Sequence, residues 1–119
     1  MSEHRLGQLE VQVDDQAEGT LTMRFRGESD SSDVAEQLRT LFEDYFEPAC
    51  ERGLTLDFTE LEYMNSSTFP PIVELVRHLH DRSVPMTILY SKYKAWQRTP
   101  FKALSSMAAV YANLTVRAC

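Results

Sequence analysis

Leu9, Val11 and Val13 alternate with Glu10 and Gln12, and Leu21, Met23 and Phe25 alternate with Thr22, Arg24 and Arg26. A period of two places one set of side chains on each face, so both stretches predict half-buried strands. Asp15 to Gly19 between them reads as a turn, and the pair predicts a hairpin. After Gly27 and a polar loop over Glu28 to Ser32, the apolar residues change to helical spacing at Val34, Leu38, Leu41, Phe42 and Tyr45. Asp33 or Ser32 is the expected N-cap, and the helix should end near Gly53.

Leu54, Leu56 and Phe58 predict a short third strand. Ile72, Val73, Leu75, Val76 and Leu79 line one side of a second helix. Val84 to Tyr90 is short, apolar and almost free of charge, which predicts a buried fourth strand. A third helix lies between Lys94 and Ala109. Its start is open: Thr99-Pro100 has the form of an N-cap followed by proline at the first helical position, while Trp96 could belong to an earlier turn. Leu114 to Val116 predicts a last strand. A hairpin followed by alternating helices and strands implies an α/β fold with one mixed sheet of four or five strands, and right-handed crossovers lay the helices against it. Leu38, Leu41, Leu56, Leu75, Leu79, Ile88 and Leu104 are the expected core.

The chain has 119 residues, 43% hydrophobic and 25% charged, the size and composition of one globular domain over residues 1–119. No segment approaches the roughly 20 apolar residues that span a membrane, and the N-terminus has no apolar signal core. A cytoplasmic location without membrane attachment is expected. Cys50 and Cys119 then read as free thiols, and Asn113-Leu114-Thr115 as a chance match to a glycosylation pattern.

The net charge of -6 conceals an asymmetry. Residues 1 to 60 hold fifteen acids against five Lys or Arg, net -10, and residues 61 to 119 hold three against seven, net +4. The overall acidity argues against nucleic acid as a partner. Lys92, Lys94, Arg98 and Lys102 form either a solvated face or a contact for an acidic partner.

His78 and His80 are two apart on a helix and point about 200° away from each other, so they do not converge on a metal. The CxxC, GxGxxG, GxxxxGK[ST] and GxSxG patterns are absent, no metal or other cofactor is implied, and an enzyme is disfavoured. The chemistry that remains is in Asn65-Ser66-Ser67-Thr68, just ahead of Phe69-Pro70-Pro71. Proline is tolerated in the first helical turn, where the N–H groups have no intrahelical partner, so the prolines fix the helix start near Ser67 or Thr68. One of the four residues suffices as a cap; the remaining hydroxyls would face solvent at the positive end of a helix, where an added phosphate is well placed.

From Asp57 onward, DFTELEYMNSSTFPPIVELV resembles the segment of STAS-domain proteins, the anti-sigma-factor antagonists, that runs from a central strand ending in Asp through an apolar loop to Asp-Ser-Ser-Gly and a helix. Tyr63-Met64 stand on the family's apolar pair, and Asn65-Ser66-Ser67-Thr68 on Asp-Ser-Ser-Gly. Gly27-Glu28-Ser29-Asp30 is similar to the Gly-Glu-Leu-Asp that precedes the family's first helix. The resemblance implies a bacterial, non-enzymatic STAS-like domain that acts in signal transduction and transcription regulation by partner switching. Its partners would be a serine/threonine kinase that is itself an anti-sigma factor and an opposing phosphatase.

The family's acceptor is the second Ser, which is Ser67 here, and Asp30 matches the acid near it; the other role of Asp30 is to cap the first helix. Asn65 replaces a carboxylate and Thr68 a glycine. The Asn-led triplet, the Gly27 start and the aromatic Phe42, Tyr45 and Phe46 also resemble a divergent STAS-like group that activates a diguanylate cyclase. There the first hydroxyl after Asn is the acceptor, here Ser66. A ligand-sensing STAS module is a further alternative.

Overall fold

The computed structural model describes residues 2–15, 19–31 and 33–119. The elements run β1 (Ser2–Leu6), β2 (Leu9–Asp14), β3 (Leu21–Ser29), α1 (Asp33–Asp44), α2 (Phe46–Arg52), β4 (Leu54–Met64), a 3-10 turn (Ser66–Thr68), α3 (Phe69–Asp81), β5 (Met86–Tyr90), α4 (Ala95–Ala108) and β6 (Leu114–Ala118). The strands form one six-stranded mixed sheet in the order β1-β2-β3-β4-β5-β6, so the expectation of four or five strands was one or two short. β1, β2 and β3 pair antiparallel, and β3 through β6 pair parallel.

Each parallel crossover moves to the adjacent strand in the same direction, and right-handed crossovers of that kind put every helix on one face. The burial pattern agrees. Leu9, Val11, Val13, Leu21, Met23, Phe25, Leu54, Leu56, Phe58, Met86 and Ile88 are buried, whereas Glu10, Gln12, Thr22, Arg24, Thr55, Asp57 and Thr87 between them are only half-buried. The other face is open to water, which is uncommon for parallel strands. The fourth predicted strand is therefore buried on one side only, with Thr87 and Leu89 turned outward. All seven expected core residues are buried, at 0 to 4% exposure. Phe25 and Phe58 stack across β3 and β4 at 4.5 Å, which adds about 0.5–1.5 kcal/mol to their apolar burial.

β1 has no sequence signal because only Leu6 among its core-side residues is apolar; Ser2 and His4 are the others, and His4 Nε2 meets Tyr45 Oη at 3.0 Å. The turn to β2 is Gly7-Gln8, with Gly7 at φ 64°, as two-residue hairpin loops favour. Of the predicted turn over Asp15 to Gly19, residues 16–18 lie outside the described residues, as does Ser32. Asp33 is the first residue of α1 rather than its cap, and its N–H donates to Ser31 Oγ at 3.2 Å. The first predicted helix is two, broken at Tyr45.

The third strand does not end at Phe58 but continues to Met64, through the stretch expected to be a loop. Strict alternation beyond Phe58 would bury Glu60 and Glu62. Two irregularities in the β3–β4 register prevent this by shifting the phase, so that Leu61 and Met64 face the core. Asp57 Oδ1 accepts from the Thr59 N–H at 2.9 Å and its hydroxyl at 2.7 Å. The carbonyls of Phe58 and Leu61 are satisfied by fully buried Gln97 of α4, whose Nε2 donates to them at 2.8 and 3.0 Å, while its Oε1 accepts from the Ser91 N–H at 2.8 Å. Gln97 thus fixes the end of β4 and the end of β5 together.

α3 begins at Phe69 with Pro70 and Pro71 in its first turn, as predicted. α4 begins at Ala95, so Thr99 is not its cap and Pro100 lies inside the helix. Of the two histidines, His78 is exposed and His80 is half-buried, its Nδ1 3.2 Å from Asn113 Oδ1.

Candidate functional site: the hydroxyl loop after β4

β3 and β4 are parallel, so the segments leaving Ser29 and Met64 emerge side by side at the carboxyl edge of the sheet, where parallel α/β sheets place their binding crevices. The Asn65 N–H donates to the Ser29 carbonyl at 2.8 Å, tying the two segments together. Asp30, next to Ser29, is therefore adjacent to the hydroxyl loop. Its side chain is exposed and makes no hydrogen bond among the described residues, so it does not cap α1.

The loop's three hydroxyls have three different environments. Thr68 is 2% exposed; its Oγ1 donates to Asn65 Oδ1 at 3.0 Å, and having given its one proton there it accepts a short hydrogen bond from buried Ser29 Oγ. Ser67 is half-buried, and its Oγ donates to the same Asn65 Oδ1 at 2.8 Å. Ser66 is exposed, and its hydroxyl makes no hydrogen bond among the described residues. Neither Asn65 nor Thr68 caps a helix with its side chain, although they hold the cap positions of the 3-10 turn and of α3. The cluster's polar groups bond to one another rather than to the helix end.

Thr68 stands where the resembled pattern has glycine, yet its backbone is right-handed, at φ −79°, and needs no glycine. The glycine requirement falls upstream. Gly27 has φ 83°, and a Cβ there would lie 2.3 Å from the Gln8 carbonyl oxygen, which accepts from the Glu28 N–H at 3.1 Å. The segment Gly27-Glu28-Ser29-Asp30 is thereby pinned to the β1–β2 turn, and Ser29 is delivered beneath Thr68. Sequence reasoning overlooked Ser29 because one buried serine in a strand end carries no pattern. It overlooked Gln97 for the same reason.

Tyr63 continues the surface on one side: it is 46% exposed, and its ring centre is 6.4 Å from that of Trp96. Lys94 Nζ meets Glu62 Oε1 at 2.9 Å. Trp96 Nε1 is buried without an acceptor among the described residues. Of the basic set, Lys94 is thus paired, while Lys92, Arg98 and Lys102 are exposed. On the far side of α3, a groove of about 540 Å³ runs between α1, α2 and α3 over Phe42, Phe46 and Leu75. Arg39 bridges its rim, donating to Glu74 at 2.9 Å and Glu36 at 2.8 Å, and these carboxylates raise its pKa. Cys50 is half-buried, and burial pushes its thiol pKa up.

Among the described residues no group of three or more His, Cys, Asp or Glu could hold a metal ion, and no helix is long and apolar enough to cross a membrane.

No family model and no curated protein matches the chain. Its structure is similar to the crystal structure of an anti-sigma factor antagonist from Mycobacterium paratuberculosis, with a TM-score of 0.65 at 14% sequence identity over 83% of this chain and 81% of that one. The fold is that of this anti-sigma factor antagonist, as the resemblance of the segment over residues 57–76 implies. At this identity the likeness concerns the fold.

Proposed function

We propose that this chain is a non-enzymatic bacterial regulator that binds a serine/threonine kinase through the carboxyl edge of its sheet and is released when the hydroxyl loop is phosphorylated. Ser67 is the acceptor in this reading, and a phosphatase restores the binding form. The observation that carries it is the bond from Ser67 Oγ to Asn65 Oδ1. With its proton directed at Asn65, the oxygen presents its lone pairs away from that contact, toward an incoming γ-phosphoryl group. Because an amide does not take up a proton as a carboxylate can, Asn65 is not the base, and in this reading the kinase supplies the group that receives the serine proton. Buried, doubly bonded Thr68 is not an acceptor.

Phosphate adds about −1.5 to −2 charges to a surface that has to be desolvated on binding, and it does so beside the carboxylate of Asp30. Like charges there oppose rebinding. The exposure of Ser66 supports a second reading, in which Ser66 is modified and the partner is a diguanylate cyclase. The test is to measure the affinity of the kinase or cyclase recovered from the native cell for wild type, Ser67→Asp and Ser67→Ala. Ser67→Asp should bind at least about tenfold more weakly. Ser67→Ala should bind like wild type and resist switching. Equal binding by all three, before and after treatment with kinase and ATP, would contradict the reading.

A further inference from the structure

Beyond Asp81 the chain contains no Asp or Glu, but it contains Arg82, Lys92, Lys94, Arg98, Lys102 and Arg117. Five of the arginines outside α4, Arg5, Arg24, Arg26, Arg39 and Arg82, each stand within 4.0 Å of a carboxylate. Arg98 and Lys102 on α4 have no such partner among the described residues. The exposed stripe of α4 is Ala95, Arg98, Thr99, Lys102, Ala103 and Ser106, so small side chains leave Arg98 and Lys102 standing clear. These two cations are four apart, a like-charge spacing that destabilises a helix.

α4 also has no acid in its first turn and no base in its last. Lys92, Lys94 and Arg98 instead crowd its positive end, opposite to what a helix dipole favours. Charges placed against the stability of their own element indicate selection for contact with something else.

The surrounding surface indicates what that is. Tyr93 is 82% exposed, with Lys92 Nζ 5.3 Å from its ring centre. Aromatic side chains among cations are the residue types that anchor protein contacts. The net charge of -6 opposes long-range attraction of any extended polyanion, nucleic acid and anionic membrane included, so the contact must be a short local one in which the cations and the ring of Tyr93 act together. We infer that Lys92, Tyr93, Arg98 and Lys102 form a second docking surface, which takes an acidic segment of a partner protein with an apolar side chain to lie against Tyr93. The loop after β5 lies at the same edge of the sheet as the hydroxyl loop, and the Lys94–Glu62 pair joins their margins, so one partner can reach both. The inference rests on the partner-binding reading, but not on phosphorylation of Ser67.

The probe is a fluorescein-labelled poly-glutamate peptide interrupted by leucines, titrated with the full chain at low and at physiological salt and followed by anisotropy. Binding should weaken with salt, and Arg98→Glu/Lys102→Glu should raise Kd at least about tenfold. Tyr93→Ala should raise it about threefold, a packing loss smaller than the loss of two charges. Arg5→Glu/Arg77→Glu, with the same change in net charge, should stay within about twofold of wild type. Circular dichroism checks each fold, and Arg98→Gln/Lys102→Gln replaces the reversal if that variant does not fold.

Ser67→Asp should leave peptide affinity unchanged. If it does so while also failing to alter kinase binding, the switching reading falls and the docking surface stands. No peptide binding at low salt, equal loss in the Arg5/Arg77 control, or tighter binding to single-stranded DNA or phosphatidylglycerol vesicles would overturn the inference.

Discussion

Two stretches of the chain carry the same local signal, hydroxyl then proline, and fold differently. In Ser66-Ser67-Thr68-Phe69-Pro70-Pro71 the prolines start α3; in Thr99-Pro100 the helix already began at Ala95, and Pro100 is its sixth residue. Proline in a helix removes an N–H and its ring crowds the carbonyl four residues back, here that of Trp96. α4 accepts that cost because Gln97, one residue further on, is held by Ser91, Phe58 and Leu61. Nothing comparable holds the hydroxyl loop to a helix. Its bonds run among Asn65, Ser67, Thr68 and Ser29. A tertiary tether overrides the local signal in one place; in the other the local signal stands, with Thr68 buried, Ser67 half-buried and Ser66 exposed.

The largest expected effect comes from removing what brings Ser29 beneath the loop. Gly27→Ala should destabilise by about 2–4 kcal/mol, from the left-handed backbone plus the contact with the Gln8 carbonyl, read by urea denaturation. A loss under about 0.5 kcal/mol would show that the β1–β2 turn does not position this segment. Next is the tether. Gln97→Leu leaves the Ser91 N–H and the Phe58 and Leu61 carbonyls without partners in the interior, and should cost about 2–3 kcal/mol.

The two prolines provide the sharpest contrast. Pro100→Ala should raise stability by about 1–2 kcal/mol, less than a mid-helix proline because it lies near the start, while Pro70→Ala should stay within about 0.5 kcal/mol of wild type. Equal effects would erase the distinction drawn between the helix starts. The smallest stability effect belongs to the loop itself. Thr68→Val, of similar shape but without the hydroxyl, should cost about 1 kcal/mol by leaving Asn65 and Ser29 short of one bond each, whereas Ser66→Ala should cost nothing measurable by thermal unfolding.

Much of this was legible in the sequence, because periodicity reports burial. The strands at Leu9–Val13, Leu21–Phe25 and Leu54–Phe58 alternate cleanly since one face of the sheet is wet, and α1 and α3 carry unbroken apolar stripes. β1 was invisible because His4 and Ser2 occupy core-side positions at an edge. The second half of β4 was invisible because its phase shifts at the bulges, which depend on Asp57 and on the distant Gln97. At the site, the cluster Asn65-Ser66-Ser67-Thr68 and its neighbour Asp30 were apparent, but not the division of labour among the hydroxyls. That division is set by Ser29, 39 residues from Thr68 in the chain.

The central claim is that the loop presents Ser67, with Ser66 beside it, and withholds Thr68. Mapping phosphate by mass spectrometry, after incubation of the chain with kinase recovered from the native cell and ATP, tests it directly. The account predicts modification at Ser67, or at Ser66 in the cyclase-directed reading, and none at Thr68. Phosphate confined to Thr68, or found only outside residues 66 to 68, would contradict it.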